Sequence, residues 1–232
     1  MKLRSVMTIL ALTGAVPCIA GTPASVVITG FKSGYEQATI INNGATVGTY
    51  PAGEFTGFLN GNAFSTFCTD IYQTFSWNSS ANPYSYELKT VAETQGMWGT
   101  SPYAVGSYSQ VSKLYTTAYA SIGASSVKSA AFQFALWELL YEDSSSGAYD
   151  TGSGKFQLAG GDADTAAAKS QANTWLTSLA SASEGYSVQA LYSGQKQDFL
   201  VATPVPEPQT YALALVSLGI VAGYAKRRRS KS

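Results

Sequence analysis

The stretch VKSAAFQFALWELLY, residues 127–141, predicts the most apolar helix of the domain, with Ser125 or Ser126 as its cap. Gln133 and Trp137 stand four residues apart in it and share a face with Ala130 and Leu140. That face is expected to dock on a sheet. A carboxamide there must find hydrogen-bond partners or carry a desolvation penalty. Outward from this stretch, 108–122 reads as a helix with Val111, Leu114, Tyr115, Ala118, Tyr119 and Ile122 on one face. Residues 164–179 read as an Ala-rich helix packing Trp175, Leu176 and Leu179, after a Gly/Ser loop at 147–161 that holds a short strand at 155–158. The first half reads as strands: 25–29, 37–41, a bent hairpin over 46–59 broken by Gly48, Pro51, Gly53 and Gly57, a loosely alternating run at 63–75, and 84–91. Two late strands, 187–192 and 198–202, follow the helices. No internal repeat is visible. The expected fold is α+β: a β-rich frame, sandwich- or barrel-like, with an inserted helical part, plus a C-terminal single transmembrane helix.

The two ends read differently from the middle. Lys2 and Arg4, an apolar stretch over 6–16 and the small-x-small tripeptide Cys18-Ile19-Ala20 form a signal peptide over 1–20, with a second cleavage site open after Ala24. Pro17 stands where a lipoprotein signal wants a small residue, which argues against Cys18 as a lipid anchor. At the other end an apolar run at 210–225 is short for a bilayer, about 24 Å as a helix against roughly 30 Å of hydrocarbon. The basic cluster Lys226, Arg227, Arg228 and Arg229 holds its far side in the cytoplasm. Organisation is therefore expected as 1–20 signal peptide, 21–203 extracellular domain and 204–232 tail.

Charge and composition narrow the chemistry. The 232-residue chain has a formal net charge of zero, but residues 21–205 hold seven Lys, no Arg and thirteen acidic residues, a net −6. An acidic domain without Arg has no footprint for nucleic acid. Histidine is absent, which removes Ser–His and Cys–His catalysis, and with one cysteine left after export no structural zinc site can be assembled. No metal or cofactor is expected. Two-carboxylate glycosidase chemistry remains allowed.

The tail carries Pro206-Glu207-Pro208 before the apolar run and the basic cluster after it. These three parts, in this order, resemble the PEP-CTERM sorting signal. The resemblance implies that exosortase, a membrane cysteine protease, processes the chain. It would be anchored transiently in the inner membrane through its C-terminal helix, then reach the cell surface or extracellular matrix.

The remaining cysteine sits in Phe67-Cys68-Thr69-Asp70-Ile71, among aromatics. An unpaired cysteine in an exported protein is buried, intermolecularly paired or chemically used. Phe67-Cys68 followed by Phe132-Gln133-Phe134-Ala135-Leu136-Trp137 resembles the thioester domains of bacterial surface adhesins, with Phe67, Phe132, Leu136 and Trp137 as motif support. The resemblance implies an internal thioester between Cys68 and Gln133, open to a surface amine or polysaccharide target. A small buried cysteine and a satisfied core amide are the plainer reading of the same two residues. The expected function is thus a non-enzymatic surface or biofilm-matrix protein that adheres covalently, with non-covalent structural or polysaccharide binding as the alternative.

Weaker signals remain. Asp70, Glu138, Glu142 and Asp143 offer carboxylates, and those at the helix end are expected to be solvated. Asp162-Ala163-Asp164 reads as a helix N-cap cluster rather than a calcium loop. Asn78-Ser79-Ser80 is a formal glycosylation sequon, and Trp77, Trp98, Tyr103 and Tyr108 suit either sugar stacking or the core.

Overall fold

The computed structural model describes residues 21–90, 93, 107–142 and 149–205. Among these, β1 (Thr22–Phe31), β4 (Phe55–Leu59), β5 (Asn62–Thr66), β6 (Tyr84–Thr90), β8 (Tyr186–Tyr192) and β9 (Phe199–Pro204) form one antiparallel sheet in the order β5-β4-β1-β6-β8-β9. β2 (Glu36–Asn42), β3 (Ala45–Ala52) and β7 (Phe156–Ala159) form a second sheet in the order β3-β2-β7. Turn chemistry sets two of the pairings. Asn43-Gly44 and Asn60-Gly61 all take positive φ, which two-residue type I′ hairpins require, and they join β2 to β3 and β4 to β5.

The larger sheet curls into a nearly closed barrel. Its end strands meet where the chain leaving β5 runs beside β9: Leu200 N–H donates to Phe67 O (3.1 Å), Thr69 N–H to Asp198 O (2.9 Å), and Cys68 bridges Phe199. β6 and β8 are neighbours in the barrel, pairing Glu87 with Tyr192, although β7 and the three α-helices of the described residues lie between them in the chain. The helical part is therefore an insertion between two adjacent strands. It contains α1 (Ser107–Ala118), α2 (Ser126–Tyr141) and α3 (Ala163–Ser178).

α2 is the hub. Ser125 caps it, accepting from Lys128 N–H, and every residue from Ser129 to Tyr141 is buried. A helix apolar on all sides has no solvent face to offer. It packs against α1 and α3 on one side and β2, β3 and β7 on the other. Asp162 caps α3 by accepting from Thr165 N–H (2.9 Å), so the acidic cluster there is an N-cap.

The expected bent hairpin at 46–59 does not form. β3 pairs with β2 and β4 with β1, so the chain crosses from one sheet to the other at Gly53-Glu54. A Cβ on Gly53 would press on the Gly34 carbonyl at 2.6 Å, and Glu54 N–H is pinned by Ser129 Oγ of α2 (2.7 Å). The run expected at 63–75 is a strand only to Thr66. Beyond it the backbone bonds partly to the chain at 197–200 and partly to side chains of Gln133, Tyr141 and Gln197. Asn78 is likewise a clamp, accepting from Ile28 N–H (2.7 Å) and donating to Val26 O (2.9 Å), which ties the sequon to β1.

Gly57 faces Ile28 across the β1–β4 pair just before a register shift, and a Cβ there would overlap the Val27 carbonyl oxygen. Because the obstruction is backbone, Gly57→Ala is expected to destabilise the domain by roughly 3 kcal/mol. Urea denaturation checks this; an unchanged midpoint would mean that β1 shifts freely at its bulge. The predicted transmembrane run at 210–225 lies outside the described residues. Among the described residues no helix is long and apolar enough to cross a membrane.

Candidate functional site

Cys68 sits where the barrel closes. Its bridge to Phe199 is flanked by the hydrogen bonds of Phe67 and Thr69 to β9, so its own N–H and C=O point away from β9. There they meet α2. Cys68 N–H donates to Gln133 Oε1 (2.9 Å), and Gln133 Nε2 donates to Cys68 O (2.8 Å). A carboxamide carries one acceptor and one donor pair, as a peptide unit does, so Gln133 substitutes for a neighbouring strand. Gln133 is fully buried and Cys68 is 6% exposed.

The supporting residues converge on the same place. Phe67 and Phe132 pack ring on ring at 4.4 Å, and Tyr115 lies edge-on to both. Leu136, one helical turn on from Phe132, is fully buried. Trp137 is 2% exposed, and its indole N–H has no hydrogen-bond partner among the described residues, yet it lies near enough to the Cys68 sulfur to favour a thiolate. That influence is outweighed: burial first, then the Asp70 and Asp198 charges, push the Cys68 thiol far above its ordinary range. Cys68 is a free, protonated thiol in this geometry. The chain around it is held by side chains. Tyr141 OH donates to Thr69 O (2.9 Å) and accepts from Ile71 N–H (3.2 Å), and Gln197 Nε2 donates to Asp70 O.

Above Cys68 and Trp137 opens a cavity of about 400 Å³. Phe31, Tyr50, Phe55, Phe75 and Trp77 form much of its wall, and Asp70, Gln73 and Gln197 add polar groups. Trp77 stands 53% exposed at the mouth, edge-on to Phe31 (5.7 Å) and Phe75 (5.3 Å). This wall was not legible from the motifs. Its residues come from β1, β3, β4 and the irregular segment after β5, and only Trp77 carries a sequence signal of its own. Trp98 and Tyr103 lie outside the described residues, as does Asp143.

Glu138 and Glu142 do not pair with Asp70, and neither is solvated. Glu138 is fully buried and accepts from Asp150 N–H (2.9 Å), while Glu142 is 6% exposed and accepts from Lys155 N–H (2.6 Å) and Phe156 N–H (3.0 Å). They were expected in water because they stand at the end of a helix. The returning chain covers that end and uses them to anchor its backbone into β7. Burial raises the Glu138 carboxyl to about 8. Among the described residues no cluster of three His, Cys, Asp or Glu side chains is placed to hold a metal ion.

The tail is decided by comparison with known families. Residues 204–229 match the PEP-CTERM protein-sorting motif. The PEP-CTERM match spans Pro206-Glu207-Pro208 and the cluster Lys226, Arg227, Arg228 and Arg229, all outside the described residues. A PEP-CTERM motif supports an exported protein that exosortase processes and that is sorted to the cell surface or extracellular space. No curated protein and no solved structure matches the chain.

Proposed function

We propose that this exosortase-sorted protein attaches covalently to a target outside the cell through an internal thioester between Cys68 Sγ and Gln133 Cδ. One observation carries the reading: residues 65 positions apart meet, with the Gln133 carboxamide bonded to both backbone groups of Cys68, which itself lines an aromatic cavity. Formation needs no ionised partner. The thiol sulfur bonds to Gln133 Cδ, the Cδ–Nε2 bond breaks, and the thiol proton leaves on nitrogen as ammonia. Cys68 N–H already points at Oε1 (2.9 Å), where the tetrahedral intermediate would place negative charge. The phenyl rings and Trp137 keep water from the product. A nucleophile entering the cavity then takes the acyl group and frees the thiol. The protein acts once, as a reagent and not as an enzyme.

The address follows from the ends. Cleavage before Gly21 leaves β1 whole, whereas a cut after Ala24 would strip the residues that pair with Leu88, Glu87 and Tyr86 of β6. We therefore assign 1–20 as the signal peptide and 21–203 as the extracellular domain. The run at 210–225 would hold the chain in the inner membrane until exosortase acts.

The test is the intact mass of the secreted chain, expected one ammonia lighter than its sequence. Methylamine should add its own mass, and Cys68→Ala should abolish both effects. A full mass with a titratable thiol would sink the covalent reading. It would leave a structural matrix protein that holds a polysaccharide or another matrix component without a bond, a reading favoured by the exposed Trp77 and Tyr35, both in ring contact with Phe31.

A further inference from the structure

Resting on the thioester reading, we infer that the Trp137 indole N–H receives the charge of the departing Cys68 sulfur: it donates a hydrogen bond to Sγ as the thioester opens and so makes the thiol a competent leaving group. Trp137 follows Gln133 by one turn of α2, and Gln133 grips both backbone groups of Cys68. Cys68 and Trp137 line one cavity. An indole offers one donor and no acceptor, and a buried donor left unbonded costs free energy. Trp137 is 2% exposed, and its Nε1–H has no hydrogen-bond partner among the described residues. A phenyl ring, such as the fully buried Phe134 of the same helix, fills apolar space with no donor to satisfy. The indole therefore stands ready for an acceptor that the resting thiol does not supply. A sulfur carrying negative charge is such an acceptor.

Few other groups could hold that charge. The chain has no His, residues 21–205 have no Arg, and no Lys lines the cavity. Cys68 N–H is already spent on Gln133 Oε1, and the Gln197 amide on the Asp70 carbonyl. Burial and the Asp70 and Asp198 charges all oppose a thiolate, and the Trp137 indole is the group beside the sulfur that favours one. The step balances. A nucleophile H–Nu forms its bond to Gln133 Cδ, the C–S bond breaks, and its electron pair goes to Cys68 Sγ, where the indole N–H stabilises it. The proton of the nucleophile leaves for water, and water returns one to the sulfur to give the free thiol. Trp137 keeps its own proton throughout.

Trp137→Phe keeps an aromatic ring and removes the donor. The mature secreted chain, with its ammonia deficit verified by intact mass, is opened with hydroxylamine at neutral pH, and the freed thiol is then alkylated with iodoacetamide. The variant should open on the order of 10-fold more slowly than the wild type, and its freed thiol should alkylate more slowly by a similar factor. A packing role alone predicts the opposite sign, because a smaller ring admits water and reagent to the sulfur and both rates rise. Either rate unchanged or raised overturns the role of Trp137 while the deficit preserves the thioester. A wild-type chain without the deficit overturns both. If the variant does not fold, or is secreted without the deficit, the isotope-labelled wild type decides. Its Trp137 indole N–H resonance should move downfield when hydroxylamine opens the thioester, and a resonance that stays in place would rule the donor out.

Discussion

In a Cys68→Ala background, where no covalent link can form, Gln133→Ala is expected to lower the unfolding free energy by about 4 kcal/mol. Cys68 N–H and Cys68 O are both buried and both end on the Gln133 carboxamide, at 2.9 and 2.8 Å. Removing that carboxamide orphans one donor and one acceptor, at roughly 1–3 kcal/mol each. It also leaves a hole beneath Phe67 and Phe132, whose rings pack at 4.4 Å. The damage falls on the seam that closes the barrel, since Phe67 and Thr69 bond to β9 on the other edge of the same segment. Cys68→Ala by itself removes one sulfur atom and no backbone bond, so about 1 kcal/mol is expected. Urea denaturation of the single and double variants measures the difference. Coincident midpoints would mean that the carboxamide does not hold the seam.

Stability should also fall as the pH rises from about 4.5 to about 8, and Glu138 should be the cause. Its carboxyl is lifted to about 8, first by burial, with the charges of Glu142 and Asp150 adding to it. The unfolded chain ionises near the ordinary glutamate value, so between the two values the folded state binds the extra proton. A raised value therefore gives a contribution complete below about pH 4.5 and lost as the pH passes through about 8. The loss is on the order of 3–5 kcal/mol. Asp150 is shifted the other way by the Gly152 N–H, so its contribution is present at higher pH and fades in acid. Together they place the stability maximum near pH 5. Glu138→Gln keeps the acceptor for Asp150 N–H and cannot ionise, so its midpoint should stay nearly flat from pH 5 to 8.5 and exceed the wild type at the upper end. Parallel slopes for the two proteins would remove Glu138 from the account.

Most elements were legible because their signals are local. The apolar periodicity at 127–141 and the serine before it mark α2, and the Asp162 cluster marks the start of α3. Asn43-Gly44 and Asn60-Gly61 carry the hairpin signal and pair β3 with β2 and β4 with β5, whereas the bent hairpin expected at 46–59 had paired β3 with β4. Glu138 and Glu142 were misread because helix position alone does not tell whether a later segment will cover the helix end.

Sequence alone determined the address and the exclusions: a motif at 204–229 that exosortase reads, no imidazole, an acidic domain without arginine. These are properties of composition or of residues contiguous in the chain, and they persist however the chain folds. Only the tertiary structure decided that Gln133 lies against Cys68 and that a cavity lined by aromatic residues opens beside Cys68. The physical reason is closure. Thr66 and Leu200, 134 residues apart, must bond before the segment carrying Cys68 has a fixed edge to present to α2. No local signal encodes a meeting that depends on both ends of a barrel coming together.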